Sequence, residues 1–315
     1  MEAHPQREVG KMRRTNVAAI AVLVGSLLVT PTRAAWAAVN SSFDAGVLTV
    51  TGDADDDVII VECSAIGGDV EVNGAAPDTG AVASTDVTSI VVSAGGGDDD
   101  VDLLSVRDEA GEFEALTSAS IDLGDGYDVL VGTHAADAIA GGPGDDRIHA
   151  NLNQGDAVDG GDGTDTLVSH VKGDVTISDE ALTFESGAHP YVSIEAVQLT
   201  GNQHGQTFDA SAFSGSLSVM AAGGKDRLFA GYGADRLHGG QGNDVLLGGN
   251  GGDWLVGDAG DDFINAHGGD DTIYGMRGDD ELLGDTGEDM LDGGRGIDRC
   301  NGGDGADSIV GCETR

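Results

Sequence analysis

A chain of 315 residues with 56 acidic and 15 basic side chains carries a formal net charge of −41; 53 residues are Gly and only 4% are aromatic. That balance excludes nucleic acid and anionic lipid as electrostatic partners and favours cations. An acidic chain poor in aromatics can also be disordered, but the strict internal period of this one argues against it.

Residues 1–37 predict a secretory signal peptide. Lys11, Arg13 and Arg14 form a basic start, Val17 to Val29 a mostly apolar core, and Ala35-Trp36-Ala37 a small-x-small site with cutting after Ala37. Met12 is an alternative start. The apolar core is too short for a membrane span, and no later segment is apolar enough for one.

Residues 38–120 alternate short β-rich runs with Gly, Asp and Asn turns: Val47 to Thr51, Val58 to Val61, Val70 to Val72 and Ile90 to Ser93. Gly95 to Val101 (GGGDDDV) is a decayed copy of a nonapeptide that recurs later, with Asp99 at its sixth position. The region is expected to be irregular β-solenoid or a small β-domain capping one. The open end of a parallel stack exposes unpaired backbone groups, so a cap is required somewhere.

Residues 121–168 bring the nonapeptide into phase. Leu123 to Val131, Gly132 to Ala140 and Gly141 to His149 carry Asp128, Asp137 and Asp146 at position 6. One inserted residue lengthens Ala150 to Asp159, and Gly160 to Val168 then restores register with Asp165. Residues 169–220 keep strand-like runs but lose the Gly-Asp loops. They predict a metal-free continuation of the same solenoid, with a separate inserted domain as the alternative.

Residues 221–315 hold the clearest pattern. From Ala221 to Val310 ten nine-residue lines follow without a gap, among them GGQGNDVLL at Gly239 to Leu247. Position 4 is always Gly. Position 6 is always Asp: Asp226, Asp235, Asp244, Asp253, Asp262, Asp271, Asp280, Asp289, Asp298 and Asp307. Position 8 is apolar from Leu228 to Ile309, with Cys300 in the ninth line. Gly allows the turn a conformation that a β-carbon resists, so carbonyl oxygens can converge there. Asp adds a hard anionic oxygen of the kind Ca²⁺ prefers. Positions 7 to 9 predict a very short strand with only position 8 inward. One line buries a single side chain, so lines must stack to make a core.

The lines resemble the glycine-rich nonapeptide GGxGxDxUx of the RTX, or hemolysin-type calcium-binding, repeat family. The resemblance implies an all-β fold, a parallel β-roll or β-solenoid with two nonapeptides per coil, and several Ca²⁺ ions between successive loops on one side. It implies two ligand ladders in the last block: Asp226, Asp244, Asp262, Asp280 and Asp298, and Asp235, Asp253, Asp271, Asp289 and Asp307. Asp128, Asp137, Asp146 and Asp165 would serve the first block. Positions 1 and 2 depart from Gly at Ala221, Ala222, Ala230, Asp258, Ala266, His267, Met276 and Asp285.

Among the cysteines, a Cys300–Cys312 disulfide would pin the last coil of an exported protein; the alternative is that Cys300 is a small buried hydrophobe. Cys63 is left over. Outward positions 7 and 9 group Val245, Leu247, Phe263 and Leu283 on one face and Trp254, Val256, Tyr274 and Met290 on the other. The second group is either exposed cross-strand packing or a patch for a protein or cell-surface partner. The eight His are scattered, and the sequence contains no HExxH or Gly-x-Ser-x-Gly motif. The expected function is a secreted calcium-binding β-solenoid with a structural or adhesive role, folding outside the cell or at its envelope. The alternatives are an RTX-type enzyme or toxin-related protein with an unrecognised site, or a calcium buffer without a partner.

Overall fold

The computed structural model describes residues 39–64, 68–103, 113–152 and 155–313; the expected signal peptide lies outside them. Among the described residues the strands form two facing sheets, one of 15 and one of 13 strands. None of these residues belongs to a helix long and apolar enough to cross a membrane.

In the last block each nonapeptide delivers one strand, and successive lines go to opposite sheets. Strand Val245–Asn250 therefore pairs in parallel with Phe263–Gly268, and Arg236–Gln241 with Trp254–Ala259. Leu246 faces Ile264 in one sheet and Leu237 faces Leu255 in the other. The position-8 side chains from Leu228 to Leu291 are buried and form two stacked rows between the sheets. Burying a Leu or Ile in this way contributes about 1.5–3 kcal/mol, so the core grows by two such residues per coil.

Two expectations are corrected here. The strands from Arg236–Gln241 to Arg299–Asp304 are six residues long rather than three, running from position 7 into position 3 of the next line. Each strand thus turns two positions inward, position 8 and position 1 of the following line, as at Leu246 and Gly248. In addition, position 8 is not inward throughout. Ile309 is 45% exposed and Cys300 only partly buried, because among the described residues no further coil covers them.

The same two sheets run through the earlier regions with longer coils. The inserted residue of the first block is absorbed as a 19-residue step between stacked Asp146 and Asp165. Over residues 169–220 the 13-stranded sheet continues in parallel through Thr166–His170, Ala196–Thr200 and Ser216–Met220. The other sheet makes an excursion there: Val175–Ser178, Ala181–Phe184 and Gly187–Val192 pair antiparallel. The wider coil is filled by larger side chains, Tyr191, Phe208 and Phe213.

Towards the N-terminus, Val47–Thr51, Ser89–Gly96 and Ser118–Asp125 stack in parallel. Asn40–Asp44 closes one sheet edge antiparallel to Val47–Thr51, and Val70–Val72 closes the other against Val58–Cys63. An antiparallel partner satisfies edge groups without offering a new template for stacking.

Candidate metal centre

The loops between strands stack as regularly as the strands do. In the last block, the backbone N–H of each position-6 Asp donates to Oδ1 of the Asp one coil, or 18 residues, further on. Asp226 donates to Asp244, Asp244 to Asp262, Asp262 to Asp280 and Asp280 to Asp298, at 2.8–2.9 Å. On the other side Asp235, Asp253, Asp271 and Asp289 donate in turn to Asp253, Asp271, Asp289 and Asp307, at 2.7–3.1 Å. In the first block Asp128 donates to Asp146 and Asp146 to Asp165.

The second oxygen of these carboxylates has no such partner. Oδ2 of Asp128, Asp146, Asp165, Asp226, Asp235, Asp244, Asp253, Asp262, Asp271, Asp280, Asp289 and Asp298 is buried without a hydrogen bond. A buried polar atom left unsatisfied is costly, and native proteins keep few. Twelve in register mark a site built for something else. Burial raises the pKa of these carboxyls against the opposing pull of the backbone hydrogen bond. It reaches about 6 for Asp128, Asp146, Asp226, Asp235, Asp253, Asp271 and Asp280, and about 8 for Asp262, where neighbouring carboxylates add to the effect. Asp165, Asp244, Asp289 and Asp298 shift upward for the same first cause.

The glycines frame this row in two different ways. At position 4 the constraint is backbone against backbone: a Cβ on Gly242 would lie 1.3 Å from the carbonyl oxygen of Gly224, one coil back, and its φ is +138°. At position 1 the neighbour is the carboxylate. A Cβ on Gly239 would meet Asp244 Oδ2 at 2.5 Å, and one on Gly257 would meet Asp262 Oδ2 at 2.3 Å. That requirement is softer, since Asp226, Asp235 and Asp271 stay buried in lines that carry Ala221, Ala230 and Ala266. The departures at position 2 keep the turn: Ala222, Asp258, His267, Met276 and Asp285 all hold φ between 70° and 79°.

Buried anionic oxygens, with loop carbonyl oxygens such as those of Ala222 and Gly224 set against the next coil, are a hard oxygen donor set that fits Ca²⁺. Among the described residues no three His, Cys, Asp or Glu side chains gather at one point. An ion here would therefore draw most of its ligands from backbone carbonyls.

Two predicted ligands behave differently. Asp137 is buried, but Thr133 donates its N–H to Oδ2 and its hydroxyl to Oδ1, so neither oxygen is left without a hydrogen bond. Asp307 at the end of its row is only partly buried. The structure also adds ladder members beyond the regular lines. Asp156 accepts from the Asp137 N–H, Glu195 from Asp165 and Glu313 from Asp298. At the head of the first row stand Asp57 and Asp99. Gln206 occupies the ladder above Asp226 and shows what a metal-free version looks like. Its Oε1 accepts from the Asn202 N–H, and its Nε2 donates to the Gly173 carbonyl at 2.9 Å. An amide satisfies itself where a carboxylate leaves one oxygen bare.

At the last coil Cys300 and Cys312 are joined in a disulfide with Cα atoms 5.9 Å apart, while Cys63 packs partly buried against the core. On the outer face Trp254 and Tyr274 lie with ring centroids 5.4 Å apart, and Trp254 and Met290 are exposed. Val256, expected on that patch, is buried: it sits in register between His238 and Tyr274, which cover it.

The family model of the RTX calcium-binding nonapeptide repeat (four copies) matches residues 122–155, 136–167, 220–255, 247–282 and 283–311. No curated protein matches the chain. With the parallel two-sheet coil and its rows of buried Asp, these matches identify the lines of residues 122–167 and 220–311 as RTX calcium-binding nonapeptide repeats stacked in a β-roll.

Proposed function

We propose that this protein is an exported β-roll that stiffens on binding several Ca²⁺ ions and serves a structural or adhesive role rather than a catalytic one. One observation carries the calcium part: the in-register row of buried carboxylate oxygens without a partner. Asp128, Asp146, Asp165 and the position-6 Asp from Asp226 to Asp298 would hold the ions, together with loop carbonyls. Bound calcium supplies the positive charge that offsets stacked carboxylates in a dry site. Extracellular modules work at calcium dissociation constants of ~0.1–1 mM, which suits a chain that folds after export.

Export is supported by the basic start, apolar core and Ala35-Trp36-Ala37 site of the first 37 residues. N-terminal sequencing of secreted protein should begin near Ala38, and a start at Met1 or Met12 would sink that part. Adhesion is supported by the exposed Trp254 and Met290 beside Tyr274 on one sheet face. Circular dichroism during a calcium titration tests the calcium part: residues 221–310 should gain β-structure as calcium is added. A chain fully β-structured in excess chelator and unchanged by calcium would overturn the proposal.

A further inference from the structure

The carboxylate ladder does not stop where the regular repeats stop. Above Asp128 the Asp99 N–H donates to Asp128 Oδ1 at 2.7 Å, and above Asp99 the Asp57 N–H donates to Asp99 Oδ1 at 2.7 Å. The steps are 29 and 42 residues instead of 18. Asp57 and Asp99 are 1% and 2% exposed. Each leaves one oxygen buried without a hydrogen bond: Oδ2 of Asp99, as in the repeats, and Oδ1 of Asp57, whose Oδ2 accepts from the Asp53 N–H at 2.8 Å.

The loops around them repeat the glycine contacts of the calcium-binding lines. A Cβ on Gly52 would meet Asp57 Oδ2 at 2.3 Å, as one on Gly239 meets Asp244. A Cβ on Gly95 would lie 1.9 Å from the Asp53 carbonyl oxygen, as one on Gly240 lies 2.4 Å from that of Ala222. A Cβ on Gly126 would lie 1.8 Å from the Gly97 carbonyl oxygen, matching Gly242 against Gly224. The matched repeats begin only at residue 122, because coils of unequal length hide the period without disturbing the loop.

We propose that loops 52–57 and 94–99 form a calcium site of their own, with Asp57 and Asp99 as its carboxylates, which locks the N-terminal cap onto the repeat stack. This rests on the calcium reading of the repeats and extends it to a region that reading does not include. The loops are otherwise hard to stack: Asp53, Asp55, Asp56 and Asp57 lie in one and Asp98 and Asp99 in the next. A divalent cation between them offsets that repulsion.

The test is calcium stoichiometry of the full chain, by equilibrium dialysis with metal analysis, in the parent and in the Asp57→Asn/Asp99→Asn variant. Hydrogen exchange is followed in strands Val47–Thr51 and Ser89–Gly96. The variant should bind fewer ions per chain, and calcium should no longer raise protection of those strands while still raising it in Arg236–Gln241 and Trp254–Ala259. Unchanged stoichiometry with calcium-dependent protection intact overturns the proposal and leaves the repeats' calcium binding standing. Should the variant's cap fail to fold, anomalous scattering from parent crystals grown in calcium decides. A peak beside Asp57 and Asp99 supports the site; peaks along Asp226 to Asp298 with none there overturn it. No calcium bound anywhere in the parent sinks the calcium reading itself.

Discussion

The backbone N–H of Asp253 donates to Oδ1 of Asp271 at 2.7 Å, while Oδ2 of Asp271 is buried with nothing to bond. The two oxygens of one carboxylate thus differ. The first holds adjacent coils in register, and the second is the one proposed to meet a calcium ion.

Replacing Asp253 and Asp271 by Asn separates the two roles. Asn keeps the Oδ1 acceptor and puts an NH₂ where the bare oxygen stood, as Gln206 does when it donates to the Gly173 carbonyl. The calcium midpoint of folding should rise about tenfold, the equivalent of about 1.4 kcal/mol. In chelator the variant should be more β-structured than the parent, because two buried charges are gone. Circular dichroism against calcium reads both. A variant with the parent's midpoint means that these carboxylates are not ligands.

Glycine at position 4 should tolerate no side chain. A Cβ on Gly242 would sit 1.3 Å from the Gly224 carbonyl oxygen at a φ of +138°. Gly242→Ala should cost about 2–4 kcal/mol in calcium-saturated protein. Gly173 has no atom within 4 Å of its would-be Cβ, so Gly173→Ala should stay within about 0.5 kcal/mol. Thermal or denaturant unfolding in saturating calcium compares them. Equal losses in the two variants contradict the close-approach argument.

What the sequence makes legible is whatever repeats at constant spacing. Leu228 to Leu291 at position 8 and the aligned Asp at position 6 are visible because nine residues always carry the chain to the equivalent place in the opposite sheet, and eighteen bring it back to the same one. The six-residue strands are not visible, since Gly at positions 1 and 2 lowers strand propensity and the parallel neighbours alone hold those residues in the ladder. Asp137 looks like every other position-6 Asp in the sequence, and only the structure shows Thr133 bonding both its oxygens. Asp57 and Glu195 are hidden because their coils span 42 and 30 residues, and no fixed period points to them. Val256 alternates outward on paper, but parallel stacking puts His238 and Tyr274 over it.

The disulfide should matter only locally. Cys300 and Cys312 are separated by 12 residues and tie the last described coil, where Ile309 is exposed. Closing a loop of this size constrains the unfolded chain by roughly 3 kcal/mol. Cys312→Ser should therefore lower amide protection in Arg299–Asp304 and Ser308–Val310, while Arg236–Gln241 keeps its own. Protection unchanged at the last coil would show that its strands hold without the link.

Acidity should replace part of what calcium does. Burial raises the carboxyls of Asp226, Asp253, Asp271 and Asp280 from 3.8 to about 6, and that of Asp262 to about 8. A raised folded-state pKa means that the coil holds more protons than the unfolded chain. The stabilisation is then fully present below about 4, where both states are protonated, and is lost as pH rises through about 6 towards 8. In excess chelator, β-structure over residues 221–310 should therefore be greatest near pH 4, lower at pH 5 and lowest by pH 8. With calcium present the trend reverses over the same interval, because deprotonated carboxylates bind the ion better. Thermal melts at pH 5, 6.5 and 8, with and without calcium, give both slopes. A chelated protein whose melting temperature climbs from pH 5 to pH 8 would show that the buried carboxyls are not what holds the metal-free coil back.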